Sequence, residues 1–106
     1  MGQVPTIGRI VHYTLSADDV TAINRRRSDA VRNRGPIVEA QAGYIAHAGN
    51  DVREGDVYPL LITRAWGGAA DSAVNGQVLL DGNDTLWVTS VTAGEGPRNF
   101  AWPARV

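Results

Sequence analysis

The chain has 106 residues, a net charge of −1, 43% hydrophobic residues, no cysteine and, among its 10 basic residues, only arginine. That size suits one domain, 1–106, with a single small core. The missing cysteine excludes disulfides, thiolate catalysis and cysteine-ligated zinc, and the missing lysine excludes a Schiff base or a P-loop lysine.

The first apolar segment, residues 7–15 ("IGRIVHYTL"), alternates and is rich in β-branched and aromatic types, which predicts a strand. Ser16-Ala17-Asp18-Asp19 follows as a helix start. Ser16 is placed to accept from the backbone near Asp19, and both carboxylates sit in the positive first turn. Leu15 and Val20 hold the two positions of a hydrophobic staple, and Gly35-Pro36 stops the element. The predicted helix is therefore about 17–34. Val20, Ile23, Ala30 and Val31 share one side of it at a 3.6 period. Arg27 projects from the middle of that side, so it is expected to pair with a carboxylate or with carbonyl oxygens. Arg25, Arg26 and Arg32 read as a solvated face, and Arg34 returns towards the apolar side.

Residues 36–42 read as a loop, 43–49 as a short strand and 50–56 as an acidic turn region. Residues 57–66 read as a strand whose start Pro59 restricts to an edge or a bulge. A flexible loop over 67–76 precedes two strands, 77–81 and 85–92. Residues 94–99 form another loop, and "FAWPARV" closes the chain as a short strand ended by Pro103. The expected fold is mainly β (α+β). It is a small antiparallel β-barrel or curled sheet of five or six strands, with one α-helix after the first strand.

Asp81-Gly82-Asn83-Asp84 is the most acidic turn. A calcium loop counted from Asp81 needs glycine at the sixth position and glutamate at the twelfth, and Leu86 and Thr92 stand there instead. A hairpin turn fits, because Asp-Gly favours the positive φ angles of a tight turn. Asn83 and Asp84 would project from its tip. His12 and His47 have no second ligand three or four residues away, so they read as core or rim residues. No Gly-x-Ser-x-Gly elbow, dinucleotide fingerprint or Walker loop is present. The expectation is a non-enzymatic protein with no metal and no cofactor.

Three tryptophans (Trp66, Trp87, Trp102) stand beside Tyr13, Tyr44 and Tyr58 in an arginine-rich chain. Aromatic faces stack on bases, and arginine grips phosphate through a planar fork. Trp87, central in a strand, is expected in the core; for Trp102 both core and site stay open. The candidate ligand-binding set is Arg98 and Trp102 with Asn83 and Asp84 at the hairpin tip, Tyr13 from the first strand, and Arg27. The expected partner is a small phosphorylated, base-containing nucleotide, held by a homo-oligomer. No apolar run approaches the roughly 20 residues of a membrane span. The N-terminus lacks a signal-peptide pattern, and a nucleic-acid binder is usually more basic. A soluble, unexported protein with neither membrane nor nucleic acid as partner is expected.

The segments "GRIVHYTL", "INRRR", "HAGN", "GDVYP", "QVLLDGNDTLWVTSV" and "WPARV" resemble a family of small proteins encoded by tailed phages of actinobacteria and their prophages. The resemblance covers most of the chain. In size, aromatics and arginines the chain is also similar in type to the phage sponges that sequester cyclic-nucleotide immune signals against CBASS and Thoeris defence. It matches no sponge motif residue by residue. The resemblance implies a protein acting in the cytoplasm of an infected host, or in the virion. Three readings follow: a nucleotide-sequestering oligomer, a virion component such as a capsid decoration protein, and a binder of nucleic acid or host protein through "RRRSDAVRNR". The last ranks lowest, because Asp18, Asp19 and Asp29 dilute the helix.

Overall fold

The computed structural model describes residues 3–32 and 48–104. Five strands close into a barrel: β1 (Ile10–Thr14), β2 (Val57–Ala65), β3 (Val74–Leu79), β4 (Thr85–Ala93) and β5 (Asn99–Ala101). One helix, α1 (Ala17–Arg32), follows β1. The strands pair in that order, β5 returning to β1. All pairs are antiparallel except the short parallel ladder between β4 and β5. The predicted mainly β architecture, with its single helix after the first strand, is therefore the observed one. The expected strand at 43–49, the loop at 36–42, the Gly35-Pro36 stop, Arg34, Tyr44 and His47 lie outside the described residues, apart from Ala48 and Gly49.

Alternation builds the core. Val11 and Tyr13 of β1, Leu60 and Ile62 of β2, Val78 of β3, Val88 and Val91 of β4 and Phe100 of β5 all point inward and are buried. Leu15 and Ile23 close one end of the barrel from the start of α1. The helix begins where the sequence places it. Ser16 Oγ accepts from the Asp19 amide at 3.1 Å, and Asp19 Oδ2 accepts from the Ser16 amide at 2.9 Å. This is a reciprocal capping box with aspartate in the usual glutamate position, and such a cap contributes about 1 kcal/mol. Leu15 is fully buried and Val20 half-buried against the core, as a staple requires. The side chains of Ala30, Val31 and Arg32 lie outside the described set.

Pro59 is tolerated for a register reason. It pairs with His12 of β1, but the β2–β3 ladder begins only at Leu60 opposite Val78, so no ladder bond to β3 is lost at proline.

The expected loop 67–76 is too long at its end. β3 starts at Val74, with Asn75 and Gly76 inside it. These two residues read as breakers in sequence, yet each has a tertiary task. The register slips by one residue on both sides of Asn75: Ile62 and Arg64 of β2 face Gly76 and Asn75, while Val88 and Val91 of β4 face Gly76 and Val74. Two bulges thus meet at one residue and bend both neighbouring strands. Asn75 is buried, and its Oδ1 accepts from the Ser90 amide (2.9 Å) and from Trp66 Nε1 (3.0 Å). Ser90 takes φ 54° within the β4 bulge, between Val88 and Val91, which both still pair with β3. At Gly76 a Cβ would lie 2.4 Å from the Leu61 carbonyl oxygen, so only glycine lets β3 approach β2 this closely.

Candidate functional site

The barrel has two ends that differ in what they carry. At the helix end lie the start of α1 and the β3–β4 turn; at the far end lie the turn before β1 and the β2–β3 loop.

At the helix end, the Asp84 side chain is completely buried and faces two arginines. Arg27 grips it with Nη2 to Oδ1 at 3.1 Å and Nε to Oδ2 at 3.3 Å, and also donates through Nη1 to the Asn50 carbonyl. Arg27 on the apolar stripe is thus paired with both a carboxylate and a carbonyl. Arg26 does not belong to a solvated face. It donates to the Thr85 carbonyl at 2.9 Å and approaches Asp84 Oδ2 at 3.5 Å. Two arginines of the "RRRSDAVRNR" helix are therefore committed to the fold, which removes them from any surface offered to nucleic acid.

The 81–84 turn is a docking point rather than a free tip. Asn83 Oδ1 accepts from the Ala48 amide (2.8 Å), the Asn83 amide donates to the Ala48 carbonyl (2.9 Å), and Asn50 Nδ2 donates to Asp81 Oδ2 (2.7 Å). The turn reading of this segment holds, but the reason for its glycine changes. The φ of Gly82 is not positive; instead a Cβ there would sit 2.4 Å from the Ala48 carbonyl oxygen and 2.6 Å from Gly49 Cα. Gly82 is demanded by the close approach of 48–50, a long-range contact that local turn chemistry does not show.

Tyr13 is fully buried, and its hydroxyl donates to Asp19 Oδ2 at 2.6 Å. Burial, then the hydrogen bond to Asp19 and the Asp19 charge, hold the phenol well above its ordinary value, and the charge of Arg98 opposes this. The ring braces the helix cap and presents no face to a ligand.

Arg98 and Trp102 are not brought together. The Arg98 amide donates to the Thr14 carbonyl at 2.9 Å, which places it at the helix end. Trp102 lies beyond Ala101, which pairs with His12, and the Arg9 guanidinium covers its ring at 4.7 Å. The strand β5 separates the two. Of the six candidate residues, Tyr13, Arg27, Asn83 and Asp84 hold the helix end together, Arg98 is exposed beside them, and Trp102 stands apart with Arg9.

The far end carries what the sequence reading missed. Arg64 lies over the Trp66 ring at 4.0 Å, and Trp66 remains 54% exposed while Asn75 holds its Nε1. Arg64 makes no hydrogen bond among the described residues. Arg9 precedes β1 and Trp66 follows β2, and these antiparallel neighbours put both arginine–tryptophan stacks at one end. Arg-x-Trp at 64–66 was visible as a pattern. Its significance depends on Asn75, which no local rule connects to it.

Trp87 is not in the core. It faces outward and is 63% exposed. β4 is buried on one face only, and Val88 takes the inward position. His12 is likewise outward and exposed. Among the described residues, no group of three His, Asp or Glu could hold a metal ion, and no helix is long and apolar enough to cross a membrane. No protein-family model, curated protein or solved structure matches the chain.

Proposed function

We propose that this protein is a non-catalytic binding module for a small phosphorylated ligand bearing a planar base, and that the ligand is taken at the far end of the barrel. The observation that carries this is the Arg64–Trp66 pair. Its indole is exposed yet fixed by Asn75, and its guanidinium is stacked but has no hydrogen-bonded partner among the described residues. A fixed aromatic face loses little entropy when a base stacks on it. A guanidinium with free N–H groups gives charge-assisted bonds to phosphate. Arg9 over Trp102 is a second guanidinium–indole stack at the same end, with Arg9 also donating to Gln3 Oε1 at 2.8 Å and Trp102 half-buried. A binding role also accords with the two buried carboxylates among the described residues, Asp19 and Asp84, which are both occupied in holding the helix. Holding a nucleotide without turning it over is what sequestering an immune signal requires, the role of the phage sponges to which the chain is similar in type.

The test is a thermal-shift screen of cyclic di- and trinucleotides, ADP-ribose derivatives and mononucleotides. A ligand that binds only the folded chain raises its melting temperature by mass action. Arg64→Ala and Trp66→Ala should each abolish the shift, Arg98→Ala should leave it, and the ligand should be recovered intact after denaturation. If no nucleotide shifts the melting temperature and the protein co-purifies with capsids, the virion reading replaces this one.

A further inference from the structure

The outer face of the barrel carries a row of four residues that crosses four strands without a charge. Ile10 of β1 pairs with Leu61 of β2, Leu61 with Gln77 of β3, and Gln77 with Trp87 of β4. Ile10 is 50% exposed and Trp87 63% exposed; Leu79 adds exposed apolar surface beside the row, and Val57 adds more four residues along β2 from Leu61. At about 4.8 Å per strand the row is about 14 Å long. We propose that this face is the contact surface for a second copy of the chain, related to the first by a two-fold axis near Gln77.

Three observations single out a second copy as the occupant. A face without charge offers nothing to steer or select an oppositely charged partner. Gln77 stands in the middle of the row, and covering it requires a polar complement. Its Oε1 accepts from Thr85 Oγ1 at 3.0 Å, which leaves one lone pair and both amide protons. A two-fold axis brings two such amides face to face, each donating to the other, which is the self-complementarity of an isologous contact. The third is area. The exposed parts of Ile10, Val57, Leu79 and Trp87 amount to roughly 450 Å² per copy, within the range of the largest apolar patch on a monomer, which is often a contact surface. With the intervening Leu61 and Gln77, a face-to-face pair buries at most about 1,200 Å² in total, the lower end for a specific interface. The dimer is therefore a weak one. It does not depend on the nucleotide reading, since the face is on the barrel wall and the Arg64–Trp66 pair is at its end.

Sedimentation equilibrium and cysteine cross-linking test this together. The parent chain should convert from monomer to dimer over about 10–100 μM, the range of a weak association. Trp87→Glu should stay monomeric throughout with an unchanged circular dichroism spectrum. Because the chain has no cysteine, Gln77→Cys gives one thiol per copy. Under mild oxidation it should form a disulfide dimer at least about tenfold faster than Ser28→Cys, an exposed control on α1. A parent that is monomeric at every concentration overturns the proposal. So does a dimer that survives Trp87→Glu, or equal cross-linking at positions 77 and 28.

Discussion

Removing the Asp84 charge should be among the costliest single changes at the helix end. The Asp84 side chain is 0% exposed, that of Arg27 11% and that of Arg26 32%. At an effective dielectric constant near 20, charges about 4 Å apart attract by about 4 kcal/mol. The cost of desolvating both groups offsets much of that. Deleting one partner is a different operation, because it strands the other charge in a buried place, and that typically costs about 3–5 kcal/mol. The half-open Arg26 adds only about 0–1 kcal/mol, since solvent screens it. Asp84→Asn, which keeps the shape, and Arg27→Met, which keeps the stem packing, are each expected to lose about 3 kcal/mol. Arg27→Ala should lose more, because the stem is lost as well. A domain of this size has roughly 5–15 kcal/mol in total, so all three should still fold. Their melting temperatures should fall by about 12–24 °C. The double variant Asp84→Asn/Arg27→Met should lose no more than about 4 kcal/mol, giving a coupling energy of about 2–3 kcal/mol. Urea unfolding followed by circular dichroism measures all of these. Additive losses, with coupling below about 0.5 kcal/mol, would refute the reading of this pair as a buried lock.

Gly82→Ala places a Cβ against two backbone groups, the Ala48 carbonyl oxygen and Gly49 Cα, neither of which is the free end of a flexible side chain. The variant should lose about 1–3 kcal/mol and show faster hydrogen exchange at the Asn50 and Asn83 amides, which bond across this contact; unchanged protection at both would mean that the segment tolerates the methyl group. Tyr13 is held protonated in the folded chain beyond the ordinary value of 10.0. Its contribution to stability is therefore complete below pH about 10 and is lost as pH rises further, because the unfolded chain then releases a proton that the folded chain keeps. Tyr58 is raised in the same direction, also chiefly by burial. The difference between the parent and Tyr13→Phe, followed by urea titration from pH 7 to 12, isolates Tyr13. A difference that stays constant above pH 10 would contradict the burial of its hydroxyl.

Local chemistry in the sequence determined where the helix starts and the course of β1, β2 and β4. The capping box at Ser16 and Asp19, the staple at Leu15 and Val20, and the alternation in β1, β2 and β4 each depend on residues a few positions apart, and all appear in the structure. The stripe position of Arg27 also announced a buried partner. Only the tertiary structure decided that the partner is Asp84, 57 residues away, and that Arg26 joins it. It also decided which face of β4 turns inward, so that Trp87 faces out although its strand reads as core. Asn75 and Gly76 read as loop because their backbone preferences are poor for a strand. Two bulges and a close strand approach give them their places, and each involves residues of another strand. The candidate site divides along the same line. Arginine and tryptophan were visible as types, but β5 separates Arg98 from Trp102. The Arg64–Trp66 pair owes its fixed geometry to a buried asparagine on the neighbouring strand, a contact that exists only once the barrel has closed.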